Sequence, residues 1–255
     1  RICQMMGAQR KPVMFHTLKA FGIGESDVEV RLPDLMRRDR YPRVGITVSR
    51  ATISLRIAAQ AESTAEFTEL IQPTVAEIES ALGELIFGQD EDELEHAVLR
   101  QIQAQGVRLA VMEIGPAALC SDWLRTAAFD LPVGTVSVLA CDSRHHAAQL
   151  LSNLTHASYD HSNAQDTPTL TLLATQLKAA CRADIALICG TYASAAELEQ
   201  PRPAANVELA IASWDHAVVE QSRTLFGHPD ILNDRVAKTA LDALRLQLLH
   251  HPKTS

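Results

Sequence analysis

The sequence predicts an α+β domain with the split βαβ arrangement, followed by a three-layer α/β/α domain. Three observations lead there. The stretch from Val13 to Phe87 runs strand, helix, strand, strand, helix, strand by its apolar spacing. Gly88-Gln89-Asp90-Glu91-Asp92-Glu93 then breaks the pattern with a short acidic, polar run. Beyond it, amphipathic stretches alternate with short β-branched runs as far as Leu249, the pattern of helices packed on both faces of a sheet. The chain has 255 residues, 47% of them hydrophobic, enough for two domains with cores of their own.

In the first domain Val13 to Phe21 alternates as a strand, and Gly22 and Gly24 close it. Glu25 and Ser26 offer acid and capping groups to a helix in which Val28, Leu32, Leu35 and Met36 recur at helical spacing. Pro33 should shorten or kink that helix. Arg43 to Ser49 and Thr52 to Gln60 read as a hairpin, joined at Arg50-Ala51 without the Asn-Gly chemistry such turns prefer. Glu62 to Leu82 carries Phe67, Leu70, Ile71, Val75, Ile78 and Leu82 on one face; Gly83 stops it, and Glu84 to Phe87 is a closing strand. Two helices against one antiparallel sheet make the split βαβ unit.

The second domain opens with a helix at Leu94 to Gln105 and a strand at Val107 to Met112. A helix around Ala117 to Thr126, a strand at Gly134 to Ala140 and a helix from Ser143 to Leu154 follow. Thr155 to Pro168, rich in Asn, Ser, Asp and Pro, reads as a surface loop. A helix at Leu170 to Ala183, strands at Ile185 to Cys189, Val207 to Ser213 and Val219 to Leu225, and a final helix at Asp234 to Leu249 complete the order. The runs Val107 to Val111, Val136 to Leu139 and Ile185 to Cys189 have the continuous apolar character of buried parallel strands.

Composition narrows the function classes. The formal charge of −8 spreads over both halves, and the one basic group, Met36-Arg37-Arg38-Asp39-Arg40 with Arg43 nearby, reads as a solvated loop. That balance repels phosphate backbones, so no nucleic-acid partner is expected. Five scattered cysteines without C-x-x-C spacing argue against a disulfide framework and for the reducing cytoplasm. No apolar run approaches the roughly 20 residues of a membrane-spanning helix, and no membrane partner is expected. His156 and His161 flank Tyr159-Asp160 in the polar loop without a second pair at ligand spacing, so neither a metal nor another cofactor is expected. Cys120, beside Ser121 and Asp122, reads as core filler in a helix interior rather than a nucleophile, and Trp123 and Trp214 read as packing residues.

Three blocks stand in order in the first domain: Leu18-Lys19-Ala20-Phe21-Gly22-Ile23-Gly24-Glu25-Ser26, Pro42-Arg43-Val44-Gly45-Ile46-Thr47 and Ala51-Thr52-Ile53-Ser54-Leu55-Arg56-Ile57. They resemble the middle domain of the competence/damage-inducible CinA family, which reads L-K-T-F-G-I-G-E-S, N-P-x-V-G-x and V-T-L-R-I. The resemblance continues more weakly to the end of the chain. It implies a KH-like middle domain over 13–88 and a C-terminal domain over 89–255 similar to nicotinamide mononucleotide deamidase. It also implies that 1–12 is the tail of an upstream molybdopterin-binding-like domain absent from this chain, which in relatives hydrolyses dinucleotide pyrophosphates. KH recognition uses a GxxG loop with basic help, whereas Gly22-Ile23-Gly24-Glu25 sets an acid where a phosphate would sit.

In the deamidase the reaction is hydrolysis of the nicotinamide carboxamide to the acid, with release of ammonia. The resemblance lays its A-E-S-C-T-G-G motif over Met112 to Ala118. Glu113 is kept there, Ile114 replaces the serine nucleophile, and Pro116 replaces the threonine in what reads as the first turn of a helix. The Y-S-N-E-A-K motif falls on Cys141 to His146, with His146, or Ala147 one residue on, at the lysine that activates the serine, and with Asp142 or Ser143 as a helix cap. The G-x-A-G-P-D-G-G loop falls on Cys189 to Glu197, where only Gly190 survives and Glu197 and Glu199 oppose phosphate.

The implied pocket therefore has Glu113, Ile114, Cys141 and His146 at its catalytic positions and Gly115, Gly190 and Thr191 toward the substrate. The resulting expectation is a deamidase-like domain without activity, kept for a structural, oligomerisation or regulatory role. Two alternatives stay open: an amidohydrolase of pyridine nucleotide salvage with a rearranged pocket, and a sensor that binds a nicotinamide nucleotide without turning it over. A homo-oligomer is expected, for which the final-helix stripe Val236, Ala240, Leu241, Leu244, Leu248 and Leu249 offers a contact unless it packs on its own sheet.

Overall fold

The computed structural model of the chain describes residues 11–35, 37, 39–155, 167–190 and 192–253. Met36, Arg38, His156, Tyr159, Asp160, His161, Thr191 and residues 1–10 of the implied upstream tail lie outside them. The chain divides into two compact units between Asp92 and Glu93.

The first unit comprises β1 (Val13–Ala20), α1 (Glu25–Arg31), β2 (Arg43–Ser49), β3 (Thr52–Gln60), α2 (Thr64–Leu82) and β4 (Ile86–Gln89). Its sheet is antiparallel throughout, in the order β2-β3-β1-β4, so that β3 lies between β1 and β2, the split βαβ topology. α1 stops ahead of Pro33, which has no N–H to continue it, and Leu32 and Leu35 are buried beyond its end. Ser63 caps α2, its Oγ accepting from the Glu66 N–H at 3.2 Å. The closing strand starts later than expected because residues Gly83–Leu85 form one tight 3-10 turn. Between β2 and β3, Arg50 and Ala51 both take positive φ (47° and 62°), the mirror-image turn whose twist suits a hairpin. One sheet face, with Leu18, Ile53, Leu55 and Ile57, packs against Val28, Phe67, Ile71 and Ile78 of the helices.

The second unit comprises α3 (Leu94–Gln105), β5 (Leu109–Ile114), α4 (Leu119–Ala127), β6 (Val136–Cys141), α5 (Arg144–Thr155), α6 (Leu170–Ala180), β7 (Ile185–Gly190), α7 (Ala195–Leu198), β8 (Ala204–Ala212), β9 (Val218–Phe226) and α8 (Pro229–His250). The sheet order is β6-β5-β7-β8-β9; the first three strands run parallel, and β8 and β9 add antiparallel. α5 and α6 cover Ala110, Met112, Ala186 and Ile188 on one face. α3, α4 and α8 cover the other, which completes the three layers.

Several boundaries differ from the sequence reading for local reasons. β5 begins at Leu109 rather than Val107 because Gly106 turns left-handed (φ 61°) and the Val107 N–H closes back on the Ile102 carbonyl at 3.0 Å. α4 begins at Leu119, which leaves Pro116 in the connection rather than in the first turn and makes Cys120 the helix's second residue rather than an interior one. β6 begins at Val136 because Thr135 turns back on the Pro132 carbonyl through both its N–H and its Oγ1. α6 ends three residues early, with Arg182 left-handed and the Ala183 N–H returned to Lys178. α8 starts at Pro229, capped by the His228 ring, whose Nδ1 accepts from the Asp230 N–H. The stripe offered for an oligomer contact packs inside the unit: Val236, Ala240, Leu241, Leu244 and Leu248 are fully buried, and Leu249 alone is partly exposed. No described helix is long and apolar enough to cross a membrane.

Candidate functional site

At the carboxyl ends of the parallel strands, sheet register sets Cys141, Ile114, Gly190 and Glu208 in one row: Ile114 pairs with Cys141 on β6 and with Gly190 on β7, and Gly190 pairs with Glu208 on β8. Three of the sequence-predicted positions are thus neighbours, at the edge where open α/β sheets take ligands.

Glu113 points to the opposite face and is fully buried. Its Oε1 accepts from the Cys120 N–H at 3.0 Å and its Oε2 from the Ser121 N–H at 2.6 Å, and the Tyr192 hydroxyl donates to Oε1. The carboxylate therefore caps α4 from the neighbouring strand, satisfying first-turn amides at the positive end of the helix. Burial pushes the Tyr192 hydroxyl up, and the sulfurs of Cys120 and Cys189 and the Glu113 carboxylate push it further, so Tyr192 remains a donor. Burial, then the Cys189 sulfur, likewise raises the Cys120 thiol. With its Sγ on the Ala237 carbonyl at 3.3 Å, Cys120 is a sealed thiol, and the thiolate is the form that attacks.

Ile114 faces the α5–α6 layer, 6% exposed, in an apolar cluster with Cys141, Ala147 and Leu151. Gly115 follows at φ 139°, a conformation closed to side chains, and its N–H continues the ladder to the Cys141 carbonyl at 2.9 Å. Burial, then the Asp142 charge, raises the Cys141 thiol. His146 is exposed on the first turn of α5, its Nδ1 2.9 Å from Asp142 Oδ1, and that bond holds the Asp142 carboxyl below its usual range. Ser143 caps α5, accepting from the His146 N–H at 3.2 Å. Asp142, Ser143 and His146 thus form a helix start rather than a hydrolytic triad.

The structure brings Ile114, Gly115, Cys141 and Gly190 together, sets Glu113 on the opposite face of the sheet and leaves His146 facing solvent. Three residues absent from the expected pocket join these positions. Arg144 pairs with Glu208 on the row that Ile114 and Gly190 share, and Tyr192 closes Glu113. Arg144 lies inside the motif tract, so its position was visible, but Glu208 is tied to it only through strand order. Glu197, expected to oppose phosphate, instead caps α7, accepting from the Ser194 N–H and Oγ. Among the described residues no group of three His, Cys, Asp or Glu side chains could hold a metal ion.

Residues 16–88 match the family model of the damage-inducible protein CinA KH domain. A putative competence-damage inducible protein of Symbiobacterium thermophilum is 33% identical over 118 residues, covering 46% of this chain and 28% of that protein. A protein of the same description from Thermoanaerobacter pseudethanolicus is 24% identical over 232 residues, covering 91% of this chain and 55% of its own length. The chain thus spans from about a quarter to about half of these relatives. A solved CinA-superfamily protein from Klebsiella pneumoniae has a TM-score of 0.43 at 21% identity, over 62% of this chain and 96% of its own.

Proposed function

Because the chain is a CinA-family protein of the competence-damage inducible type, we propose that its second unit is a nicotinamide mononucleotide deamidase-like domain that carries out no deamidation and serves a structural or regulatory role. The observation that carries this reading is Ile114: where the resemblance requires an attacking hydroxyl, a branched hydrocarbon lies in a closed apolar cluster. Two neighbours support it. Glu113 already occupies first-turn amides of α4 that would otherwise attract an anion, and Arg144 and Glu208 neutralise each other beside Gly190.

Ammonia release from nicotinamide mononucleotide, assayed beside a serine-containing relative, tests the reading. The expected rate is that of the buffer blank, and turnover comparable to the relative's would overturn it. Thermal unfolding with the mononucleotide then separates scaffold from sensor. A ligand at about 100 times its dissociation constant stabilises by about 2.7 kcal/mol, whereas a scaffold shows no shift.

A further inference from the structure

β9 is the last strand of its sheet, so one of its sides has no neighbouring strand. Its nine residues pair with β8 in unbroken register, with neither a bulge nor a proline to blunt the edge. The ladder closes from the Ser213 N–H to the Ala217 carbonyl at 2.9 Å at one end, and from the Gly227 N–H to the Pro203 carbonyl at 3.4 Å at the other. Both bonds fall on odd-numbered residues of the returning strand. Antiparallel bonding alternates, so Val218, Glu220, Ser222, Thr224 and Phe226 turn their N–H and C=O groups outward. Among the described residues those groups meet one hydrogen bond, donated by Arg235 Nη1 to the Phe226 carbonyl at 2.7 Å. Phe226 is 62% exposed, and Val218, Val219 and Leu225 are partly exposed. β2, β4 and β6 are edges too, but of seven, four and six residues.

We propose that a second copy of this chain docks on β9, the two β9 strands pairing antiparallel about a two-fold axis at Ser222 and joining two five-stranded sheets into one. The occupant follows from the strand's match to itself. Such a pairing sets outward groups against outward groups and keeps each sheet face continuous. With Ser222 opposite the partner's Ser222, Phe226 lies beside the partner's Val218 on one face and Leu225 beside the partner's Val219 on the other, so the apolar ends cover each other. Glu220 faces the partner's Thr224 and Arg223 faces the partner's Gln221, so no like charges are opposed. An axis at Arg223 would set that guanidinium against the partner's Arg223, and an axis at Gln221 would leave Leu225 and Phe226 without a strand residue opposite. Arg235 already holds the Phe226 carbonyl, so the outermost rung at each end has one bond instead of two. Ser222 pairs with Glu208, and the row of Cys141, Ile114, Gly190 and Glu208 therefore runs on through Ser222 into the same row of the second copy. The pairing goes beyond the absence of deamidation and holds with or without it.

Light scattering of the full chain from about 1 to about 100 μM tests the proposal, with a mass of twice 27.8 kDa expected at the top of that range. Ser222→Pro removes the outward N–H at the axis and leaves the bonds to β8 in place, since an edge strand tolerates proline where its N–H faces away from the sheet. It should return the mass to 27.8 kDa. Thr224→Glu sets a carboxylate opposite the partner's Glu220 at both symmetric positions and should weaken the dimer about tenfold. Adding Glu220→Lys to that variant makes both pairs opposite in charge and should restore it. Circular dichroism melts confirm that the variants fold. A mass of 27.8 kDa throughout would overturn the proposal and leave the edge to a strand of another protein. A dimer that keeps its mass in both Ser222→Pro and Thr224→Glu would overturn it as well, because the contact would then lie elsewhere. So would a loss in Thr224→Glu that Glu220→Lys does not recover, since the two residues would not be paired. None of these measurements reads ammonia release, so they succeed or fail apart from the reading of the pocket.

Discussion

Tyr192 donates its phenolic hydrogen bond to Glu113, 79 residues earlier in the chain, and both groups are buried. The bond holds the segment after β7 against the carboxylate that caps α4, so strand, helix and loop share one buried charge. Tyr192→Phe keeps the ring and removes the donor, leaving the carboxylate with its two backbone partners. We expect the second unit to lose about 1–3 kcal/mol. A urea transition with an unmoved midpoint would show that the bond contributes nothing.

Ile114→Ser supplies the hydroxyl that the resemblance calls for, but in an apolar cluster and without a lysine partner. We expect no ammonia release above blank and a loss of roughly 2–5 kcal/mol from the cavity and the buried hydroxyl. Recovery of deamidation from this single change would mean that the rest of the pocket is intact.

Asp184 gives the second unit an acid dependence. Burial pushes its carboxyl up, but bonds from the Arg108 N–H at 2.8 Å, from Lys253 Nζ at 3.0 Å and from Arg108 Nε outweigh it and hold the carboxyl below its ordinary value. A lowered folded-state pKa means that the folded chain binds fewer protons than the unfolded one. The resulting stability is present above the ordinary aspartate value of about 3.9 and is lost as pH falls through the lower folded value. Asp184→Asn should therefore melt earlier at neutral pH and lose less on acidification. Parallel melting curves in the two would remove Asp184 from the account.

Thiol labelling of the native chain followed by mass spectrometry reads access and thiolate character at Cys120 together. A fully buried thiol with a raised pKa should stay unmodified at neutral pH as long as the unit is folded, while Cys181, half-buried, labels first among the cysteines of the described residues. Rapid labelling of Cys120 would reopen its reading as a nucleophile.

Ala51 takes φ 62° in the β2–β3 turn, where an L side chain is strained and glycine is not. Ala51→Gly should stabilise the first unit by about 1 kcal/mol. A lowered melting temperature would show that the hairpin entropy lost outweighs the strain relieved.

The hairpin itself was readable to the residue, because alternation in Arg43 to Ser49 and Thr52 to Gln60 is regular and the two intervening residues fix its register. The start of β5 was not. Leu109 to Ile114 is buried on both faces and has no alternation, so Val107 looked like part of the same run until Gly106 turned the backbone away. α8 was placed late because a histidine caps it, outside the usual capping set. In the site, the motif tracts located Glu113, Ile114, Cys141 and Gly190 because strand ends carry them. Tyr192 and Glu208 act across sheet register and loop closure, and no local periodicity records either.

α8 lies along the face of the second sheet that bears Val111, Leu187, Leu209 and Ile211, and it comes last in the order of elements. On the ribosome the first unit is complete once residue 92 has emerged, whereas the part of that face under α8 stays uncovered until Pro229–His250 is made. At 5–20 residues per second this leaves bare apolar strands exposed for on the order of ten seconds. The nascent second unit therefore passes through an interval with bare apolar strands that the first unit, closed within its own 92 residues, does not share.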